Sequence, residues 1–183
     1  DSERAFENVK AVLASPEVLV PFDVMRETRL STDASRLHGL GYVLQQKHGD
    51  DWRLIHAGSR FISETEAAYS MVELELLGCV WAMTKLRHYL LGISFELITD
   101  HQPLISILNN QTLDMIDSPR IQRLKEKTLP FVFTARWVKG STHLAADALS
   151  RQPVSDPTEV DTIEENRDSA DSLALWAISA PLA

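Results

Sequence analysis

The spacing of hydrophobic positions between residues 27 and 151 changes period part-way along the chain. Arg29 to Thr32 reads as a short strand leading into Asp33, Gly39 to Gln46 as a second and Trp52 to Phe61 as a third. His48-Gly49-Asp50-Asp51 is a polar turn that joins the last two as a hairpin. Beyond Phe61 the period becomes helical. Ser63 stands three residues before Glu66, a capping-box spacing, and predicts one long helix running to about Leu91, where Gly92 closes it. Phe95 to Thr99 is an apolar run of buried-strand type that ends at Asp100. A short helix is expected from about Pro103, and Ser118-Pro119 opens another to about Thr128. Phe131 to Val138 reads as the fifth strand, and Ser141 or Thr142 is expected to cap a last helix carrying Asp147. This order predicts an α/β domain: a five-stranded mixed sheet, beginning with a three-stranded antiparallel meander, with helices on both faces.

The flanks read differently. Residues 1–26 hold Ala5, Phe6, Val9, Val12 and Leu13 at helical spacing, stopped by Ser15-Pro16, then the apolar stretch Val18 to Phe22. They look like a connector that packs on something else. Residues 152–183 are acidic, with Pro153 and Pro157, and are expected to be a disordered linker to about Ser172, followed by an apolar patch from Leu173 to Ile178. That tail carries −6 of the total charge of −8, so residues 1–151 carry only −2. A nearly neutral domain binds nucleic acid when its bases cluster and its acids hold cations. No apolar run approaches a membrane span, and the opening DSERAFENVK lacks the apolar region of a signal peptide. The first residue is not Met, so a piece of a longer chain is expected. Cys79 is the only cysteine, which excludes an internal disulfide and fits a reducing compartment.

Four acids stand where acids are awkward. Asp33 and Asp100 are presented at the C-terminal ends of apolar strands, a common location for sites in open α/β sheets. Glu75 lies mid-helix with Met71, Val72, Gly78 and Cys79 three and four residues away, so no helical ion pair explains it. Asp147 lies in the small-residue run Ala145-Ala146-Asp147-Ala148-Leu149. Each has an ordinary reading as well, a turn or cap for a strand-end Asp and a solvated face for a mid-helix Glu. Gathered together, four carboxylates need cations, and hard oxygen ligands favour Mg²⁺ or Mn²⁺ over zinc. Two such ions activate water for phosphodiester cleavage.

The motif series carries the decisive resemblance. Leu30-Ser31-Thr32-Asp33-Ala34-Ser35 with Gly39 and Gly41 to Leu44 comes first, then Tyr69 with Glu73-Leu74-Glu75-Leu76-Leu77. Arg87-His88-Tyr89-Leu90, Thr99-Asp100-His101-Gln102-Pro103-Leu104 and Ala146-Asp147-Ala148-Leu149-Ser150-Arg151 follow. From about residue 4 to 151 the chain resembles the RNase H domain of Ty3/gypsy-type retrotransposon reverse transcriptases. The resemblance implies an RNase H-like fold over residues 27–151, with residues 1–26 similar to the end of the polymerase connection. It implies an Asp33–Glu75–Asp100–Asp147 ligand set for two Mg²⁺ or Mn²⁺ ions, cleavage of the RNA strand of RNA/DNA hybrids, and an upstream RNA-directed DNA polymerase in the parent polyprotein. It also implies a setting in a cytoplasmic particle or the nucleus. Glu73 and Glu75 project about 200° apart on a helix, so only one faces the site. The family motif selects the second; Glu73 is expected to be solvated or tied to a neighbouring element.

The chain departs from many RNases H in one place: Lys139-Gly140-Ser141-Thr142 runs almost directly into the last helix, leaving no room for a loop with a mobile His. His143, four residues before Asp147, either orients a water or contacts a phosphate, or is a cap-region His. His101 is a candidate neighbour of the site. Arg120, Arg123, Lys125 and Lys127 form the densest basic run, and with Lys139 and Arg151 are candidates for gripping the backbone of a hybrid, against the plainer reading of a solvated face. Gln46, Ser35 and Gln102 are weaker candidates. A catalytically weak nucleic-acid-binding module is the alternative to an active nuclease. The order of the four acids argues against a transposase or integrase of the same fold.

Overall fold

The structure, a computed structural model, describes residues 20–158 and Asp161. The helix expected over residues 5–13 and the patch at 173–178 lie outside the described residues. The sheet consists of β1 (Thr28–Ala34), β2 (Gly39–His48), β3 (Asp51–Phe61), β4 (Ser94–Thr99) and β5 (Val132–Trp137) in the order β3-β2-β1-β4-β5. β1, β2 and β3 pair antiparallel, while β4 pairs parallel to both β1 and β5. This is the mixed sheet with a leading meander that the period-2 segments predict. The β2–β3 register slips by one residue at Leu44/Gln45, a β-bulge.

The helices are α1 (Glu64–Ala67), α2 (Met71–Lys85), α3 (Arg87–Leu90), α4 (Pro103–Asn109), α5 (Pro119–Glu126) and α6 (Leu144–Arg151). α2 is buried without a break from Leu74 to Met83. It lies between the sheet and α5, which accounts for its lack of a polar face. It covers the sheet face bearing Leu30, Leu40, Leu44 and Leu97, all fully buried. α6 covers the opposite face, where a Cβ on Gly41 would lie 2.5 Å from Ser150 N and 2.7 Å from Ala146 O. Only glycine at 41 lets this helix sit directly on β2.

The single helix expected from residue 63 to 91 is three helices. The sequence holds two capping boxes. Ser63 and Glu66 close one over α1, and Ser70 and Glu73 close another over α2. The second box restarts the helix, because the Ser70 backbone is extended. Ser141 and Thr142 do not cap α6. The Thr142 hydroxyl donates to the Lys139 carbonyl at 2.7 Å, inside a 3₁₀ turn, and His143 takes the cap position without a side-chain bond.

Two buried polar groups tie the sheet to the segments beside it. Arg60, at the end of β3, is 1% exposed and grips Glu66 through both guanidinium nitrogens at 2.6 and 2.7 Å. Gln46 is fully buried and bonds the Asp23 backbone and Thr28, so it braces the incoming chain and is not a substrate contact. Beyond α6 the chain keeps to the domain: Phe61 N donates to Ser155 O, and the Ser155 hydroxyl to Ser59 O. No helix among the described residues is long and apolar enough to cross a membrane.

Candidate metal centre

β1 and β4 are adjacent and parallel, so their C-terminal ends deliver Asp33 and Asp100 to the same edge of the sheet. α2 passes over that edge and brings Glu75. Carboxylate oxygens of Asp33, Glu75 and Asp100 lie within 4.8 Å of one another. They line a cleft of about 510 Å³ with Asp147, Arg151, Arg36, Ser35, His38, His101 and Met71. Asp33 and Glu75 are 6% and 4% exposed, while Asp100 is half-buried. Burial, reinforced by Asp33 and Asp100 and opposed by a bond from the Ala34 backbone, pushes the Glu75 carboxyl up to about 9. Burial raises Asp33 too; a hydrogen bond from Ser150 opposes the shift, and Asp100 adds to it.

The donors suit a hard divalent cation. All three are carboxylates, they face one another, and Glu75 Oε2 is buried without a hydrogen-bond partner. A buried carboxylate oxygen left bare at a negative focus is costly unless a cation takes it up.

Asp147 shares the cleft but stands outside the three-way cluster. Its Oδ1 accepts from Arg151 Nε at 2.7 Å and lies 2.6 Å from Nη2. Ser150, which the sequence reading missed, donates to Asp33 Oδ2 and to the Asp147 carbonyl. It sits three residues after Asp147, on the same face of α6, inside the motif that ends in Arg151. Arg36 was missed as well; it lines the cleft and donates to the Tyr69 carbonyl at 3.1 Å. Gly140 packs so closely on Asp100 that a Cβ there would lie 2.9 Å from Oδ2.

His143 is buried, with Nε2 2.7 Å from the Thr32 carbonyl. A carbonyl only accepts, so Nε2 carries the proton and the ring pins α6 to β1. Of the basic run, Lys125 is not a surface group. It is 6% exposed, its ammonium donates to the Ile107 and Leu108 carbonyls at the end of α4, and burial lowers its pKa. Terminating a helix is a use of lysine that composition does not reveal. Arg120 pairs with Glu73 at 3.1 Å and lies over the Tyr69 ring, 4.1 Å from its centroid. Glu73 is thus both cap and anchor. Burial works against its ionisation, but the Ser70 bonds and Arg120 outweigh it and hold the carboxyl below its usual value. Arg123 and Lys127 are half-buried, and Lys139 is exposed beside Gly140.

Residues 23–131 match the family described as the RNase H-like domain found in reverse transcriptase. The chain belongs to this family. The matched span contains Asp33, Glu75 and Asp100 and stops short of α6. The chain is 32% identical over 178 residues to the retrovirus-related Pol polyprotein from transposon 297 of Drosophila melanogaster, covering 97% of this chain and 16% of that protein. It is 35% identical over 159 residues to the transposon Tf2-3 polyprotein of Schizosaccharomyces pombe, covering 85% of this chain and 12% of that protein. The chain therefore spans less than a fifth of the curated relatives it matches. Among solved structures it is similar to RNase H1 from Halobacterium salinarum NRC-1, at TM-score 0.51 and 18% identity over 67% of this chain and 93% of that one. It is also similar to the foamy viral protease-reverse transcriptase in complex with dsDNA, at TM-score 0.56 and 18% identity over 75% of this chain and 29% of that one. These two likenesses establish the RNase H fold.

Proposed function

We propose that this domain is a metal-dependent ribonuclease H that hydrolyses the RNA strand of RNA/DNA hybrids, leaving 3'-hydroxyl and 5'-phosphate ends. The observation that carries the reading is the convergence of Asp33 and Asp100, at the ends of parallel strands, with Glu75 from α2, two of the three buried and one oxygen of Glu75 bare. Asp33, Glu75, Asp100 and Asp147 would hold two Mg²⁺ or Mn²⁺ ions. Such ions supply an activated water and stabilise the leaving oxygen of a phosphodiester. Asp33 and Asp100 are held by strand ends, so their carboxylates are placed before a substrate arrives. Ser150 fixes the Asp33 rotamer through its hydroxyl. Glu75 would give up a proton as the site fills, since burial and its two acidic neighbours push its carboxyl up to about 9. Arg123, Lys127, Lys139 and Arg120 would meet the backbone of the hybrid, and Lys125 is removed from that set. In the parent polyprotein the domain would follow an RNA-directed DNA polymerase, with residues 1–26 as the junction and residues beyond the fold as a linker.

The experiment is cleavage of a labelled hybrid with Mg²⁺ or Mn²⁺, by the chain alone and joined to its upstream polymerase. Metal-dependent cleavage that Asp100→Asn reduces by orders of magnitude is expected. Its absence from both forms would leave the second reading, a catalytically weak nucleic-acid-binding module. One observation favours that alternative: Asp147 is tied to Arg151 and stands apart from the other three acids.

A further inference from the structure

Arg151 meets one oxygen of Asp147, Oδ1, with Nε donating at 2.7 Å and Nη2 in ion-pair contact at 2.6 Å. Both side chains line the cleft that holds Asp33, Glu75 and Asp100. The contrast between the acids is chemical. Three carboxylates face one another, and the fourth is paired with a guanidinium supplied four residues along its own helix. A guanidinium and a divalent ion compete for the same oxygen lone pairs, and each repels the other.

We propose that Arg151 is a positioning residue that stands in for the second cation. It holds Asp147 while the metal centre is unfilled and must be displaced before a second ion binds, so the two ions enter in order and with unequal affinity. This rests on reading the cleft as a metal centre. The first ion would take Asp33, Glu75 and Asp100, whose oxygens already face one another. The second requires Asp147 and therefore the release of Arg151. The pair is built to yield. The Arg151 side chain is 65% exposed and that of Asp147 34%. Exposed pairs of this kind shift an equilibrium by only about two- to five-fold. Such a pair is strong enough to set the order of binding and too weak to block it. The bond also keeps Asp147 from rotating into the three-acid cluster, where a fourth unneutralised carboxylate would add repulsion.

The test is Mn²⁺ binding to the whole chain by calorimetry and electron paramagnetic resonance. Wild type is expected to bind one ion more tightly than the other. Arg151→Ala should tighten the weaker ion roughly two- to five-fold and leave the stronger unchanged. Arg151→Lys, which keeps the charge and loses the fork, should fall between the two. Asp147→Asn should lose the weaker ion alone. An ordinary helix-surface ion pair predicts something else: a small loss of melting temperature in Arg151→Ala with both affinities unchanged. That result, or a weaker second ion in Arg151→Ala, overturns the proposal while the metal centre stands. No bound ion in any variant overturns both.

Discussion

Glu75 is the residue in which the site's electrostatic strain is concentrated. Its carboxyl, with an ordinary value of 4.5, is pushed up to about 9 by burial first and by Asp33 and Asp100 second. The sign of the linkage follows. Unfolded, Glu75 ionises near its ordinary value; folded, it resists ionisation. The stability it allows is therefore fully present below about pH 4.5 and is lost as pH rises toward 9. Asp33, raised mainly by burial, acts in the same direction. In chelator, the melting temperature should fall from pH 5 to pH 9. Glu75→Gln should flatten much of that slope, gaining on the order of a few kcal/mol at the alkaline end. Millimolar Mg²⁺ should restore wild type at high pH and do little for Glu75→Gln. A wild-type slope in Glu75→Gln, measured by calorimetry, would show the carboxyl to be ordinary. The choice between Glu73 and Glu75 needed the motif, because helical spacing alone says only that they point apart. The structure adds the physical reason: Glu73 is occupied at both ends, by the Ser70 cap and by Arg120. Lys125 was not legible at all. Its charge is visible in the sequence, but the α4 carbonyls it terminates are 17 and 18 residues away.

The sequence shows strands better than helix ends in this chain. All five strands follow from alternation and apolar runs: β1 and β2 pack against α2, β1 to β3 against α6, and β5 against α4. The break between α1 and α2 was hidden because Ser70-Met71-Val72-Glu73 lies inside a continuing helical period, and only the second capping box reveals it. The docking of α6 depends on a residue in another element. Gly41 leaves room for Ala146 O and Ser150 N, and His143 pins the start of the helix to Thr32. Gly41→Ala should therefore push α6 off β2 and move Asp147 and Ser150 together. A loss of roughly 1–3 kcal/mol is expected in urea unfolding, as for an overpacked core. Hybrid cleavage should fall at least tenfold under conditions where the variant is still folded, because a small misplacement of a ligand-bearing helix is costly to catalysis. Unchanged activity in a folded Gly41→Ala would mean that α6 does not need this seat.

At the scale of the whole molecule, the question is where the fold stops. The composition shift after Arg151 predicts a boundary there, because acidic and proline-bearing sequence lacks apolar residues to bury. The backbone gives a different answer for the first part of that stretch. Ser155 extends the pairing of β3 at Phe61 and Ser59, and Pro153 packs against Gly39. Asp161 lies 3.7 Å from Lys85 at the end of α2, and although burial opposes its ionisation, bonds from Thr158 and the charges of Arg60 and Lys85 hold it below the usual value. These residues thus run from the end of α6 past the end of β3 to α2, linking the two sides of the sheet. Hydrogen bonds to an otherwise open strand and one charge near the Arg60–Glu66 pair are polar contacts, which hydrophobic patterning does not detect. A chain ended at Arg151 should lose roughly 1–3 kcal/mol relative to one ended at residue 161, most of it from the bare Phe61 and Ser59 backbone groups. The comparison is read from urea midpoints and from exchange of the Phe61 amide. A Phe61 amide equally protected in both truncations would show that the fold ends with α6.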